Sequence, residues 1–140
     1  MNYKFSLLFL FIAIFSAGLV KNTFAQSEPV LYFCEKYDAD KGEIGVGDRF
    51  YTGPITVVVK SSHALLCDDV HIQFDRYNES TGKFEYYKKF SYTITPTDKY
   101  VYFRTNSESE LKFDNTGFYR VFLLDHKDKT VASALVEIIR

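Results

Sequence analysis

Tryptophan is absent from the 140 residues, methionine occurs once, proline three times and cysteine twice. Two cysteines allow at most one intramolecular disulfide. The missing tryptophan removes the side chain with the largest flat face for stacking on a sugar. Neither sign of charge dominates, with 17 Lys and Arg against 18 Asp and Glu. This balance argues against a nucleic-acid partner and against a polybasic membrane footprint. There is no nucleophile elbow, no zinc-protease helix and no glycine-rich phosphate loop. No internal repeat or low-complexity tract occurs, and nothing outside the N-terminal run has helical period.

That run is the one long apolar stretch. Lys4 precedes an uncharged, apolar segment from Phe5 to Val20, and Lys21-Asn22 ends it. Thr23 and Ala25 place small residues at −3 and −1 of a cleavage site. Residues 1–25 therefore read as a secretory signal peptide. An uncleaved anchor is the alternative, although 16 residues are short of the roughly 20 a membrane span needs. The remainder, 26–140, has the length of one domain. The leader holds two lysines and no acid, so the remainder carries 15 basic and 18 acidic side chains. Export predicts a periplasmic or extracellular location. In an oxidising compartment Cys34 and Cys67 are the only pair that can join within the chain. The bridge would close a loop of about 34 residues and contribute about 3–4 kcal/mol. Two free thiols or an intermolecular link remain as alternatives.

Period-two alternation predicts strands over Val30–Cys34, Ile55–Lys60, Val70–Tyr77, Phe84–Ile94, Tyr100–Phe103, Phe118–Leu124 and Thr130–Ile139. Glu35–Gly47, with three glycines and several charges, reads as a loop. Its Asp38-Ala39-Asp40-Lys41-Gly42 stretch fails the register of a calcium loop. On Phe84–Ile94 the alternation puts Phe84, Tyr86, Phe90, Tyr92 and Ile94 inward and Tyr87 outward. Lys88 interrupts the inward face and predicts a bulge or an edge strand.

Asn115-Thr116-Gly117-Phe118-Tyr119-Arg120-Val121 resembles the D-x-G-x-Y-x-C signature of immunoglobulin domains. The resemblance implies an all-β, two-sheet antiparallel sandwich of about seven strands. It also implies a structural tyrosine corner at Asn115, Gly117 and Tyr119, with the tyrosine hydroxyl bonded to backbone upstream. Asn115 stands for the Asp and Val121 for the second Cys, so the inter-sheet disulfide of antibody domains is absent.

With Tyr119, Val121 and Leu123 inward, Phe118, Phe122 and Leu124 point outward. Tyr77 and Tyr87 share that parity on neighbouring strands. Tyr77, Tyr87, Phe118 and Phe122 are the candidate binding surface. His63, Cys67, Asp68, Asp69 and His71 are the densest set of potential metal ligands, at a spacing that matches no known site. Of these, His63, Asp68 and His71 are the metal candidates if Cys67 is oxidised. The sequence implies no cofactor. The favoured reading is an exported, non-enzymatic binding module whose partner is a protein or other cell-envelope component. A carbohydrate-binding module using exposed Tyr and Phe is the first alternative. A metal-binding or redox protein at His63–His71 is the second.

Overall fold

A computed structural model of the chain describes residues 28–106 and 110–140. The leader expected over residues 1–25 lies outside the described residues. Eleven strands follow one another: β1 (Val30–Asp38), β2 (Gly42–Gly47), β3 (Arg49–Tyr51), β4 (Gly53–Pro54), β5 (Thr56–Lys60), β6 (Asp69–Asn78), β7 (Lys83–Thr93), β8 (Tyr100–Phe103), β9 (Lys112–Phe113), β10 (Gly117–Asp125) and β11 (Thr130–Ile139). One sheet has the order β2-β1-β5-β8 and the other β3-β11-β10-β6-β7, while β4 and β9 form a two-stranded ribbon. All pairings are antiparallel except β3 with β11. The seven expected strands are present, and β2, β3, β4 and β9 are additional to them.

The two sheets close on a shared core. Leu31, Phe33, Val57, Val59, Val101 and Phe103 come from the first, and Val70, Ile72, Phe74, Tyr119, Val121, Leu123, Val136 and Ile138 from the second. These positions alternate along each strand, as period two requires when one face is buried. The chain passes from β5 in the first sheet to β6 and β7 in the second, back to β8 in the first and on to β10 in the second, and β6, β10 and β11 pair as the C, F and G strands do. The molecule is an immunoglobulin-like sandwich.

Three local expectations need correction. First, Glu35–Gly47 is mostly paired strand. The Asp38 carboxylate accepts from the backbone N–H groups of Asp40 and Lys41, each at 3.0 Å. Gly42 then turns at φ +75°, so the segment reverses and pairs as a β1–β2 hairpin. The hairpin folds over the outer face of its own sheet. Tyr37 stacks on Tyr102 at 3.9 Å between ring centroids. Glu43 accepts from the Tyr32 hydroxyl at 2.5 Å and pairs with the Lys60 ammonium at 2.8 Å. Beneath this clasp Cys34 and Val58 are fully buried, and Thr56 nearly so, without joining the core between the sheets.

Second, the bulge expected from Lys88 is present on the edge strand β7, opposite Phe74 and Asp75, and it overturns the facing expected of Phe84, Tyr86 and Tyr87. Phe74 pairs with Lys88 and Asp75 with Tyr86, leaving Tyr87 as the extra residue. One extra residue reverses the alternation beyond it. Phe84 and Tyr86 therefore face outward, while Tyr87 turns inward against Tyr119 at 5.8 Å, edge to face. Lys88 also turns inward and donates to the carbonyls of Lys112 and Glu110. Its ammonium lies 5.3–5.5 Å from the rings of Phe74, Tyr87 and Phe90. Third, Leu124 is buried, and the β10–β11 register shifts beside it.

Candidate functional site

Tyr77, Tyr87 and Phe118 come together around one cleft of about 610 Å³ at the end of the five-stranded sheet. One wall is the turn from β6 to β7. There the Asn78 side-chain oxygen accepts from the Ser80 N–H at 2.9 Å. The Gly82 N–H donates to the Asn78 carbonyl at 2.8 Å, with Gly82 at φ +66°. The Asn78 amide and the Thr81 hydroxyl donate to the two oxygens of Glu85 at 3.0 and 2.7 Å. These two donors, Asn78 first, hold the Glu85 carboxyl below the ordinary carboxylate range.

The opposite wall is the corner entering β10. The Tyr119 hydroxyl donates to the Asn115 carbonyl at 2.8 Å. Gly117 sits at φ +136°, a conformation side chains disfavour. The Arg76 guanidinium donates to the Thr116 carbonyl at 2.9 Å and lies 5.9 Å from the Tyr119 ring. Both walls are thus fixed by hydrogen bonds made within the protein. On the outer face of the same sheet Tyr86 is 65% exposed, Phe118 53% and Tyr77 37%. Tyr77 packs edge-on against Phe84 at 5.3 Å, and the Arg120 guanidinium covers Phe84 at 4.9 Å. A smaller, separate hollow on the other side of Phe118 is lined by Leu135, Val136 and Glu137.

Phe122 does not reach the cleft; it is half-buried between Gln73 and Ser133 on the same sheet face. Tyr87 reaches it from the interior rather than from the outer face. Tyr86 was missed by the regular alternation, and the signal that would have found it is the interruption at Lys88.

The cysteines are not joined: both are free and buried. Cys34 lies under the hairpin on the outer face of the four-stranded sheet, opposite Thr56. Cys67 lies in the core between the sheets, beyond the far end of β5. A disulfide needs the two Cα atoms within about 7 Å and the Cβ atoms facing one another. Opposite faces of one sheet do not provide this. Burial pushes both thiols up from the ordinary cysteine range.

The metal candidates are dispersed. His63 is hydrogen-bonded to Ser62 at 2.6 Å, and His71 to Ser91 at 3.1 Å. Asp68 accepts from the Asp69 N–H at 2.9 Å. Among the described residues no three His, Cys, Asp or Glu side chains converge on a point where a metal could be held.

No protein-family model matches the chain. No curated protein matches it in sequence. Among solved structures it is similar to an immunoglobulin-like protein from Pseudomonas aeruginosa, with 10% identity and a TM-score of 0.45, covering 82% of this chain and 99% of that one. It is also similar to a superoxide reductase (neelaredoxin) from Ignicoccus hospitalis, with 10% identity and a TM-score of 0.37, covering 78% of this chain and 83% of that one.

Proposed function

We propose that the chain is an exported, non-enzymatic binding module that holds a component of the cell envelope in the cleft between the β6–β7 turn and the β10 corner. One observation carries this reading: three large exposed rings, Tyr77, Tyr86 and Phe118, share the outer face of the five-stranded sheet beside a cleft whose walls are already hydrogen-bonded. Exposed aromatics scattered singly need no explanation, but rings gathered on one sheet face mark a recognition surface. Rigid walls favour binding because little ordering accompanies it. The N-terminal leader supports export.

The test is capture from an envelope extract of the protein's own cells. Immobilised wild type is compared with a Tyr86→Ala/Phe118→Ser double variant and with Tyr51→Ser, an exposed tyrosine on the short strand β3. A species retained by wild type and Tyr51→Ser, and reduced at least about tenfold in the double variant, supports the reading. Equal retention by all three, with unchanged urea midpoints, overturns it.

A further inference from the structure

We infer that a second copy of this chain docks on the outer face of the five-stranded sheet; the inference rests on the recognition surface proposed above and names its occupant. The strand register lays the face out in rows. Tyr119 and Val121 point into the core, so Phe118 and Arg120 point outward. Arg120 pairs with Leu135 on β11 and with Asp75 on β6, and Asp75 pairs with Tyr86 on β7. In the next row Phe118 pairs with Glu137 on β11 and lies level with Tyr77 on β6, which pairs with Phe84 on β7. Tyr86, Phe118 and Leu135 are each more than half exposed. Apart from Arg120, Asp75 and Glu137, every position in these two rows is aromatic or aliphatic. Tyrosine, phenylalanine and arginine are the side chains that protein interfaces favour.

The charges of the face select a second copy. Glu137 is ion-paired with Arg49 at 2.6 Å, and Lys89 with Asp128 at 3.0 Å. Arg120 and Asp75 are left side by side in the middle of the patch. Among the described residues neither is in an ion pair. The Arg120 guanidinium covers Phe84 at 4.9 Å, and the Asp75 carboxylate accepts from the Gln73 side-chain amide at 2.9 Å, on opposite sides of their row. A polyanion offers one sign only, and an uncharged polymer neither. A second copy related by a twofold axis supplies both, because Arg120 then meets Asp75 of the copy and Asp75 meets its Arg120. The area agrees. β6, β7, β10 and β11 are nine to eleven residues long. Four strands of nine residues, about 4.8 Å apart and rising about 3.3 Å per residue, make a plane of about 600 Å². A stable interface takes about 600–1,000 Å² of accessible surface from each partner.

The experiment is sedimentation equilibrium of the purified protein from about 1 to about 500 µM. The expected result is a concentration-dependent rise to the mass of two chains. Tyr86→Ala and Phe118→Ser should each weaken association at least about tenfold at unchanged urea midpoints. Val46→Ser, on the hairpin of the other sheet, should leave it within about twofold. Arg120→Asp and Asp75→Arg should each weaken self-association at least about tenfold, and an equal mixture of the two folded variants should associate again, because each then meets the opposite charge. A protein that stays monomeric at about 500 µM, a dimer indifferent to Tyr86 and Phe118, or a mixture that fails to associate overturns the inference. Envelope capture that still depends on Tyr86 and Phe118 in a monomeric protein leaves the binding reading standing. Ring-dependent dimerisation with no other species retained from the extract supports the inference and removes the separate envelope component.

Discussion

Val58 tests the packing of the hairpin over the sheet. Val58 lies on the face of β5 that points away from the core, between Tyr32 on β1 and Tyr102 on β8. An outward valine on a bare sheet would lose only strand propensity on substitution by alanine, about 1 kcal/mol or less. Here the side chain has no exposed surface, because Tyr37 stacks on Tyr102 and Glu43 joins Tyr32 to Lys60 above it. Val58→Ala deletes two methyl-sized groups, about 1.6 kcal/mol of transfer free energy at about 0.8 kcal/mol each. A partly collapsed cavity adds about 1 kcal/mol, for a total of about 2–3 kcal/mol. For a domain of this size that corresponds to a fall in Tm of about 10 °C. The assay is equilibrium urea unfolding with an unchanged m-value, and Val46→Ala on the exposed edge of the hairpin is the control, expected within about 0.5 kcal/mol. A cost for Val58→Ala below about 1 kcal/mol, or one equal to that of Val46→Ala, would refute a hairpin packed on this face.

Three further outcomes follow from the same geometry. The denatured, unreduced protein should take up two equivalents of iodoacetamide by mass spectrometry, and the folded protein none; an unmodified species two mass units lighter would place a disulfide between Cys34 and Cys67 after all. Glu43 is held down to about 2 from its ordinary 4.5, chiefly by the Lys60 ammonium and then by the Tyr32 hydroxyl. Its folded value lies below its unfolded one, so the stabilisation is fully present above the ordinary value and is lost as pH falls towards 2. The urea midpoints of wild type and Glu43→Gln should therefore differ most near neutral pH and converge in acid; a constant difference would contradict the clasp. Tyr119→Phe removes one hydrogen bond to an exposed corner and should cost about 1 kcal/mol, read as a shifted urea midpoint at constant m.

The sandwich was legible because its evidence is local. Val70, Ile72 and Phe74 alternate cleanly, and so do Tyr119, Val121 and Leu123, so a one-residue error in register would expose an entire face. The hairpin was not legible in that way. Its glycines and charges have loop composition, and it is held by partners far along the chain, Lys60, Tyr100 and Tyr102, which local periodicity does not encode. On the outer face of the five-stranded sheet, Tyr77 and Phe118 followed from parity. Tyr86 and Tyr87 exchange sides because regular alternation does not locate the extra residue of a bulge, although Lys88 on an apolar face marks the strand that carries it. The cysteines carried a usable signal too. With Leu31 and Phe33 inward, alternation already puts Cys34 outward, on the wrong face to meet a thiol in the core.

The cleft as the binding surface is the central claim, and site-specific photocrosslinking addresses it directly. A photoreactive phenylalanine is placed at Tyr86 in one protein and at Tyr51 in another, and both are illuminated with the envelope fraction. The account predicts a discrete adduct from position 86 that free ligand competes away, and none from position 51. Adducts of equal yield from both positions, or from position 51 alone, would contradict it.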